Sequence, residues 1–113
     1  MTPAAFRRLA LSLPEAVESA HMDHPDFRVR GKVFASMGYP DVGHGTVKLT
    51  PEQQEVEMAE HPEVFTPAAG AWGKRGYTVV SLRAVTPTTL RRAMQAAWHN
   101  SAPKSLRTRH EGD

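Results

Sequence analysis

Two glycine-containing turns carry the cations that are best placed to do chemistry in this sequence. The first basic turn, residues 28–32, contains Gly31, and the second basic turn, residues 72–77, contains Gly73 and Gly76. Cations on such hairpin tips can neutralise the phosphates of a nucleic acid, and an exposed aromatic ring can stack on an unpaired base. The residues that would make these contacts are Arg28, Arg30, Lys32, Trp72, Lys74 and Arg75.

The same pattern also has a structural interpretation. Charged residues at exposed hairpin edges prevent sheets from pairing with one another. If Arg30 and Gly31 form a two-residue turn, Val29 faces Lys32 and Arg28 pairs with Val33 on the other side of the sheet. The charges of the first basic turn would then not form one continuous stripe.

Histidines raise the question of a metal site. His21 and His24 have a spacing found among metal ligands, and His44 and His61 could in principle join them. A metal ion normally needs three or four converging ligands with supporting contacts, and Pro25 makes the segment around His24 extended or turning. We therefore expect no metal site and no bound cofactor.

No catalytic constellation can be recognised. The segment 43–45 lacks the third glycine of a dinucleotide-binding loop, and none of the serines has the surroundings of an activated nucleophile. Cysteine is absent, which excludes disulfides, thiolate nucleophiles and zinc bound by cysteine. We therefore expect no catalytic residues and a binding protein, not an enzyme.

Length and composition indicate one ordinary globular domain. The chain has 113 residues, enough for one hydrophobic core, and its net charge of +2 permits nucleic-acid binding without demanding it. Arg7 and Arg8 interrupt the apolar start, and no stretch reaches the roughly 20 apolar residues of a membrane helix. We expect a cytoplasmic protein with no membrane contact, a domain at residues 1–106 and a polar C-terminal tail at 107–113.

Three helix starts and several strands position these residues. Thr2, Thr50 and Thr86 each precede a proline, which is typical of a helix N-cap, and Gln53 completes a capping box with Thr50. Alternating or β-branched segments predict strands at 17–21, 27–30, 32–37, 46–49 and 77–82, whereas residues 65–76 are expected to be irregular. These elements predict an α+β fold, an antiparallel sheet flanked by helices, in the order helix-strand-strand-strand-helix-strand(s)-helix.

Periodicity also predicts the core. The apolar residues at core spacing along these helices and strands are Phe6, Leu9, Phe34, Val47, Leu49, Val79, Leu82, Leu90 and Trp98.

Several short motifs together resemble the MmcQ/YjbR family, from about Arg8 to Leu106. They are the segment His24-Pro25-Asp26-Phe27-Arg28-Val29-Arg30-Gly31-Lys32-Val33-Phe34-Ala35, Leu11-Ser12-Leu13-Pro14, Val47-Lys48-Leu49, Trp72-Gly73 and Ala102-Pro103-Lys104. The resemblance implies a fold of the secretion-chaperone and frataxin-like kind and a DNA-binding role with a paired-wing surface. Tyr77 departs from the pattern, which has tryptophan at this position.

These observations lead to one functional expectation and two alternatives. The expectation is a DNA-binding module whose binding is weak and tolerant of sequence, because nothing resembles a recognition helix. The first alternative is a small-molecule or peptide-binding domain. Its pocket would be formed by Phe27, Arg28, Lys48, Trp72 and Lys104. The second alternative is a protein-interaction adaptor that uses the sheet face.

Overall fold

The computed structural model describes residues 1–112, and the side chains of residues 1–109. Within this range the chain forms five helices and six strands. In chain order they are α1 (Pro3–Leu11), β1 (Ala16–His21), β2 (His24–Val29), β3 (Lys32–Met37), β4 (His44–Lys48), α2 (Pro51–Glu60), β5 (Phe65–Pro67), α3 (Gly70–Lys74), β6 (Tyr77–Ser81), α4 (Pro87–Ser101) and α5 (Lys104–Gly112).

The three predicted N-caps are confirmed. The hydroxyl oxygens of Thr2, Thr50 and Thr86 each accept a hydrogen bond from a backbone N–H in the first turn of α1, α2 and α4. Thr50 and Gln53 form the reciprocal capping box, with the Thr50 amide donating to Gln53 Oε1 at 2.9 Å. These contacts satisfy backbone donors that have no partner within the helix, so they fix where each helix begins.

All six strands form one antiparallel sheet in the order β1-β2-β3-β4-β6-β5. Side chains alternate between its two faces, and residues directly opposite one another share a face. Phe27 lies opposite Ala35 and points to the core face, whereas Asp26 lies opposite Ser36 and points to the other side, which we call the open face. Helix α4 packs across β3 and β4 on the core face, with α1 beside it.

The hydrophobic core lies between the core face and the helices. Of the predicted set, Val79 is nearly fully buried but lies opposite Thr46 on the open face of the sheet, outside this core. The members that are fully or nearly fully buried in the core are Phe6, Phe34, Val47, Leu49, Leu82, Leu90 and Trp98. Leu9 is partly buried against them. Because α4 contributes Leu90, Met94, Ala97 and Trp98 from one stripe, it is the main cover of the sheet.

The α+β class and the order of elements are confirmed, with additions. Strand β4 corresponds to the strand predicted at 46–49, and with it four strands precede α2, one more than in the predicted order. The segment 65–76, expected to be irregular, contains β5 and the short helix α3, so the second basic turn begins inside a helix, at residues 72–74, and is not a hairpin tip. Residues 107–112 of the expected tail belong to α5, whose Leu106 is buried in the core, and Asp113 lies outside the described residues.

Candidate functional site

A groove of about 830 Å³ crosses the open face of the sheet. Its floor comes from β2, β3 and β4 and includes Arg28, Ser36, Thr46 and Lys48. The β1–β2 turn and the loop after β3 bound one end, and the segment from β5 to β6 bounds the other. The groove therefore lies where the sheet is not covered by α1 and α4.

Trp72 forms one rim of the groove and is 55% exposed. Its ring meets the ring of Tyr77 edge-on, with centroids 5.0 Å apart and an angle of 90° between the planes. The guanidinium carbon of Arg75 lies 5.8 Å from the centre of the Trp72 ring, and Lys48 Nζ lies 5.8 Å from the centre of the Tyr77 ring. Two aromatic rings and two cations thus form one cluster, the aromatic rim (Lys48, Trp72, Arg75 and Tyr77).

Burial shapes the chemistry of Tyr77 within this cluster. Removal of its hydroxyl group from water raises the pKa of Tyr77, although the nearby charge of Arg75 opposes this shift. The phenol therefore stays protonated at neutral pH and can donate a hydrogen bond.

A buried glutamine holds the aromatic rim in place. Gln54, on α2, has two Nε2 hydrogens, which three acceptors share: the carbonyl oxygens of Gly73 and Tyr77, both at 3.1 Å, and Thr78 Oγ1 at 3.0 Å. Gly73 and Gly76 allow close backbone approach, since an added Cβ would lie 2.0 Å from the Ala68 carbonyl oxygen and 1.9 Å from the Leu49 carbonyl oxygen, respectively. The position of Trp72 therefore depends on contacts with residues that are distant in the sequence, such as Gln54 and Leu49.

Arg28, a residue of the first basic turn, is already paired. Its Nε and Nη2 atoms donate to the two carboxylate oxygens of Asp26 at 2.9 and 3.1 Å, and His21 Nδ1 lies 3.2 Å from the same carboxylate. Asp26 is completely buried. Hydrogen bonding from Arg28, with a smaller contribution from His21, holds the pKa of Asp26 below its ordinary value despite burial. The positive charge of Arg28 is therefore largely neutralised by the carboxylate of Asp26.

Arg30 is paired as well. It donates to both carboxylate oxygens of Glu15 at 2.6 and 3.0 Å, and Arg109 donates to the same carboxylate at 3.1 Å. Hydrogen bonding from Arg30 accordingly lowers the pKa of Glu15. By contrast, Lys32, Lys74 and Arg75 are exposed, and none of them forms an ion pair within the described part of the chain.

The register shows how the two basic turns are related. Val29 lies opposite Lys32 and Arg28 opposite Val33, as expected for a two-residue turn at Arg30 and Gly31. Strand β4 runs back towards the same end of the sheet, where Lys48 lies opposite Tyr77. Both basic turns therefore lie at one end of the sheet, separated by the width of two strands.

The structure brings together three members of the predicted pocket. Arg28, Lys48 and Trp72 all line the groove. Phe27 is completely buried on the core face, and Lys104 is exposed at the start of α5 and does not line the groove. Phe27 is outside the groove because it points to the opposite face from its neighbour Arg28 in β2. Lys104 is outside it because it belongs to α5 and not to the sheet.

The histidines are distributed among different partners. His44 contacts Asp41 at 2.7 Å, His61 packs against the ring of Phe65, and His21 and His24 lie at one end of the groove. Among residues 1–109, no three histidine, aspartate or glutamate side chains are close enough to hold a metal ion.

Sequence reasoning did not identify Gln54, or Met22 and Tyr39 at the rim of the groove. Asp26 entered it as part of the motif at residues 24–35. The spacing of Asp26 and Arg28 was a usable signal, because residues two apart in a strand share a face and opposite charges there form ion pairs. The role of Gln54 had no local signal, since its three acceptors lie 19 to 24 residues away.

The fold is similar to two solved structures. One is the crystal structure of a Deinococcus radiodurans protein with a DUF419 domain, at 20% identity and a TM-score of 0.71, covering 86% of this chain and 75% of that chain. The other is the crystal structure of a protein from Pseudomonas syringae, at 14% identity and a TM-score of 0.68, covering 89% of this chain and 99% of that chain. At these identities the likeness shows the fold alone.

Sequence comparison supplies the family. A search of curated proteins gives no match. No helix in residues 1–112 combines the length and the apolar character needed to cross a membrane. The model of the YjbR family matches residues 11–100, which include the whole groove and the aromatic rim. The chain therefore belongs to the YjbR family.

Proposed function

We propose that the protein is a binding module, not an enzyme, that holds single-stranded DNA against the open face of its sheet. The observation that supports this proposal most is the aromatic rim, in which Trp72 is 55% exposed. An exposed tryptophan beside cations is the usual combination in proteins that bind single strands, where bases stack on rings and cations neutralise phosphates.

The surroundings of Trp72 suit stacking. Tyr77 meets the ring edge-on, and Arg75 lies over the ring at 5.8 Å. These contacts limit the movement of the ring while leaving more than half of the side chain accessible to a base. Stacking of one base on an aromatic side chain contributes about 1–3 kcal/mol, which is consistent with weak binding.

Ion pairing favours a single strand over a duplex gripped by both basic turns. Arg28 and Arg30 are engaged by Asp26 and Glu15, so the first basic turn contributes little free charge besides Lys32. The free cations near the rim are Lys48, Lys74 and Arg75. With three phosphate contacts, the logarithm of affinity should fall with the logarithm of salt concentration at a slope of about −2, from about −0.7 per contact on a single strand.

A titration tests the preference for single strands. Increasing amounts of an oligothymidine and of a duplex of equal length are added at about 50 mM salt, and binding is followed by fluorescence anisotropy of the labelled DNA. We expect micromolar binding of the single strand, weaker binding of the duplex, and a loss of about tenfold in the Trp72→Ala variant, which equals 1.4 kcal/mol. Undetectable binding of the single strand, or equal affinity in Trp72→Ala, contradicts the proposal.

Salt dependence tests the role of the cations. The double variant Lys74→Ala/Arg75→Ala should flatten the slope by about 1.4, since two contacts are lost. The matched control is Arg83→Ala/Arg91→Ala, which removes the same charge from exposed arginines away from the groove. Equal slopes in the two double variants would show that net charge, and not this site, determines binding.

A further inference from the structure

We infer that the groove on the open face is a binding site for a small molecule that has a flat apolar body and one anionic group. This inference goes beyond the proposed DNA binding. It depends on the floor of the groove and on its apolar rim, and it shares Trp72 and Lys48 with the DNA proposal, which depends in addition on Lys74 and Arg75.

The size and lining of the groove suit a small molecule. Its volume of about 830 Å³ lies within the range of about 300–1,000 Å³ found for small-molecule pockets. Its apolar lining includes Val33, Met22, Tyr39 and Trp72. Three of these are exposed at the rim, with Met22 at 84%, Tyr39 at 41% and Trp72 at 55%. A ligand that covers them would remove apolar surface from water, which is favourable in proportion to the area covered.

The charges of the lining indicate one anionic group. Arg28 carries a positive charge that the carboxylate of Asp26 compensates through two hydrogen bonds. Lys48 also lines the groove, and its ammonium group has no carboxylate partner in residues 1–109. The groove therefore presents one uncompensated positive charge in largely apolar surroundings, where a single anion is attracted more strongly than at an open surface.

Polar atoms near Lys48 can complete the contacts of that anion. The hydroxyl groups of Ser36 and Thr46 lie on the floor and are hydrogen bonded to each other, so one of their two hydrogens is left to donate. Arg28 uses Nε and Nη2 for Asp26, and its Nη1 atom forms no hydrogen bond within the described residues. A few donors around an apolar pocket are the arrangement that orients a small ligand.

A pair of fluorescent probes tests the inference. 8-Anilinonaphthalene-1-sulfonate has a flat apolar body and one anionic group, and N-phenyl-1-naphthylamine has nearly the same body without the charge. We expect the sulfonate probe to bind the folded protein at one site and about tenfold more tightly than the neutral probe. In Lys48→Met the sulfonate probe should weaken about tenfold while the neutral probe is unchanged, so the two affinities become similar.

Two further variants identify the place of binding. Ala69 is exposed at the wall of the groove, and Ala69→Trp should narrow it and weaken both probes at least fivefold without lowering the melting temperature. Arg83→Ala/Arg91→Ala, away from the groove, should change the affinity of the probes less than twofold. Equal affinity for the two probes in the wild type, or unchanged sulfonate binding in both Lys48→Met and Ala69→Trp, would overturn the inference. Neither outcome contradicts DNA binding, which is tested separately by Trp72→Ala and by Lys74→Ala/Arg75→Ala.

Discussion

The carboxylate of Asp26 shows how one residue determines the chemistry of the open face. It is completely buried, and a buried charge is tolerated only when it is paired and hydrogen bonded. Arg28 provides two hydrogen bonds and His21 a third contact. The pair fixes the Arg28 guanidinium on the floor of the groove and removes its net charge from the surface. Arg28 is therefore a positioned donor and not a free phosphate-binding cation.

This pairing predicts a pH-dependent contribution to stability. Arg28 lowers the pKa of Asp26 below its ordinary value of 3.8, so the unfolded chain binds more protons than the folded one in this range. The stabilisation is complete above the ordinary value and is lost as the pH falls through the lower folded value. Asp26→Asn should reduce the free energy of unfolding by about 1–3 kcal/mol at neutral pH.

Urea denaturation between pH 2 and pH 7 measures this effect. The difference in unfolding free energy between wild type and Asp26→Asn should shrink as the solution becomes more acidic. Asp23→Asn is the matched control, because Asp23 is exposed in the β1–β2 turn and forms no ion pair among the described residues. A constant difference at all pH values would show that Asp26 stabilises the fold by packing and not by its charge.

At the scale of elements, α3 is the part that depends most on the rest of the molecule. The helix has five residues, Ala69 at its N-cap makes no side-chain capping hydrogen bond, and isolated helices of this length are not stable in water. Its position is set by Gln54 and by the close approach of Gly73 to the backbone of Ala68. The aromatic rim is therefore held by a polar contact from α2 and not by its own sequence.

Replacing this glutamine should loosen the rim selectively. Gln54→Met removes a buried amide whose two hydrogens are shared among three acceptors, and it leaves buried carbonyl oxygens without that donor, which should cost about 1–3 kcal/mol. The rate of amide hydrogen exchange should increase more in residues 70–76 than in α4 when the variant is compared with the wild type. Gln95→Met, at an exposed position of α4, is the control and should change stability by less than about 0.5 kcal/mol. Unchanged exchange in residues 70–76 would contradict the role of Gln54.

The same element shows where sequence reasoning stops. The N-caps at Thr2, Thr50 and Thr86 and the turn at Arg30 and Gly31 were predictable, because their signals lie within a few residues. Helix α3 was not, since its stability comes from residues distant along the chain. The candidate site follows the same rule. Trp72, Arg28 and Lys48 could be named from their types, but their convergence in one groove required the strand register.

Across the whole molecule, the two faces of the sheet have different surroundings. The core face is covered by α1 and α4 and holds the fold together, whereas the open face keeps a groove with exposed apolar residues. The two tryptophans of the chain are divided between these faces. Trp98 is 3% exposed and donates from Nε1 to the Pro14 carbonyl oxygen at 3.0 Å, whereas Trp72 is 55% exposed.

This division predicts that replacing each tryptophan by alanine lowers the stability of the fold by a different amount. Trp98→Ala should lower the free energy of unfolding by about 3–5 kcal/mol, because it opens a cavity between α4 and the sheet and frees the carbonyl of Pro14. Trp72→Ala removes one edge-on aromatic contact and should cost no more than about 1.5 kcal/mol. Urea denaturation followed by circular dichroism measures both without depending on tryptophan fluorescence.

If Trp72→Ala were as destabilising as Trp98→Ala, Trp72 would be a structural residue, and its loss could not be used to test binding. A stable Trp72→Ala variant that no longer binds single-stranded DNA would instead assign the open face to ligand recognition.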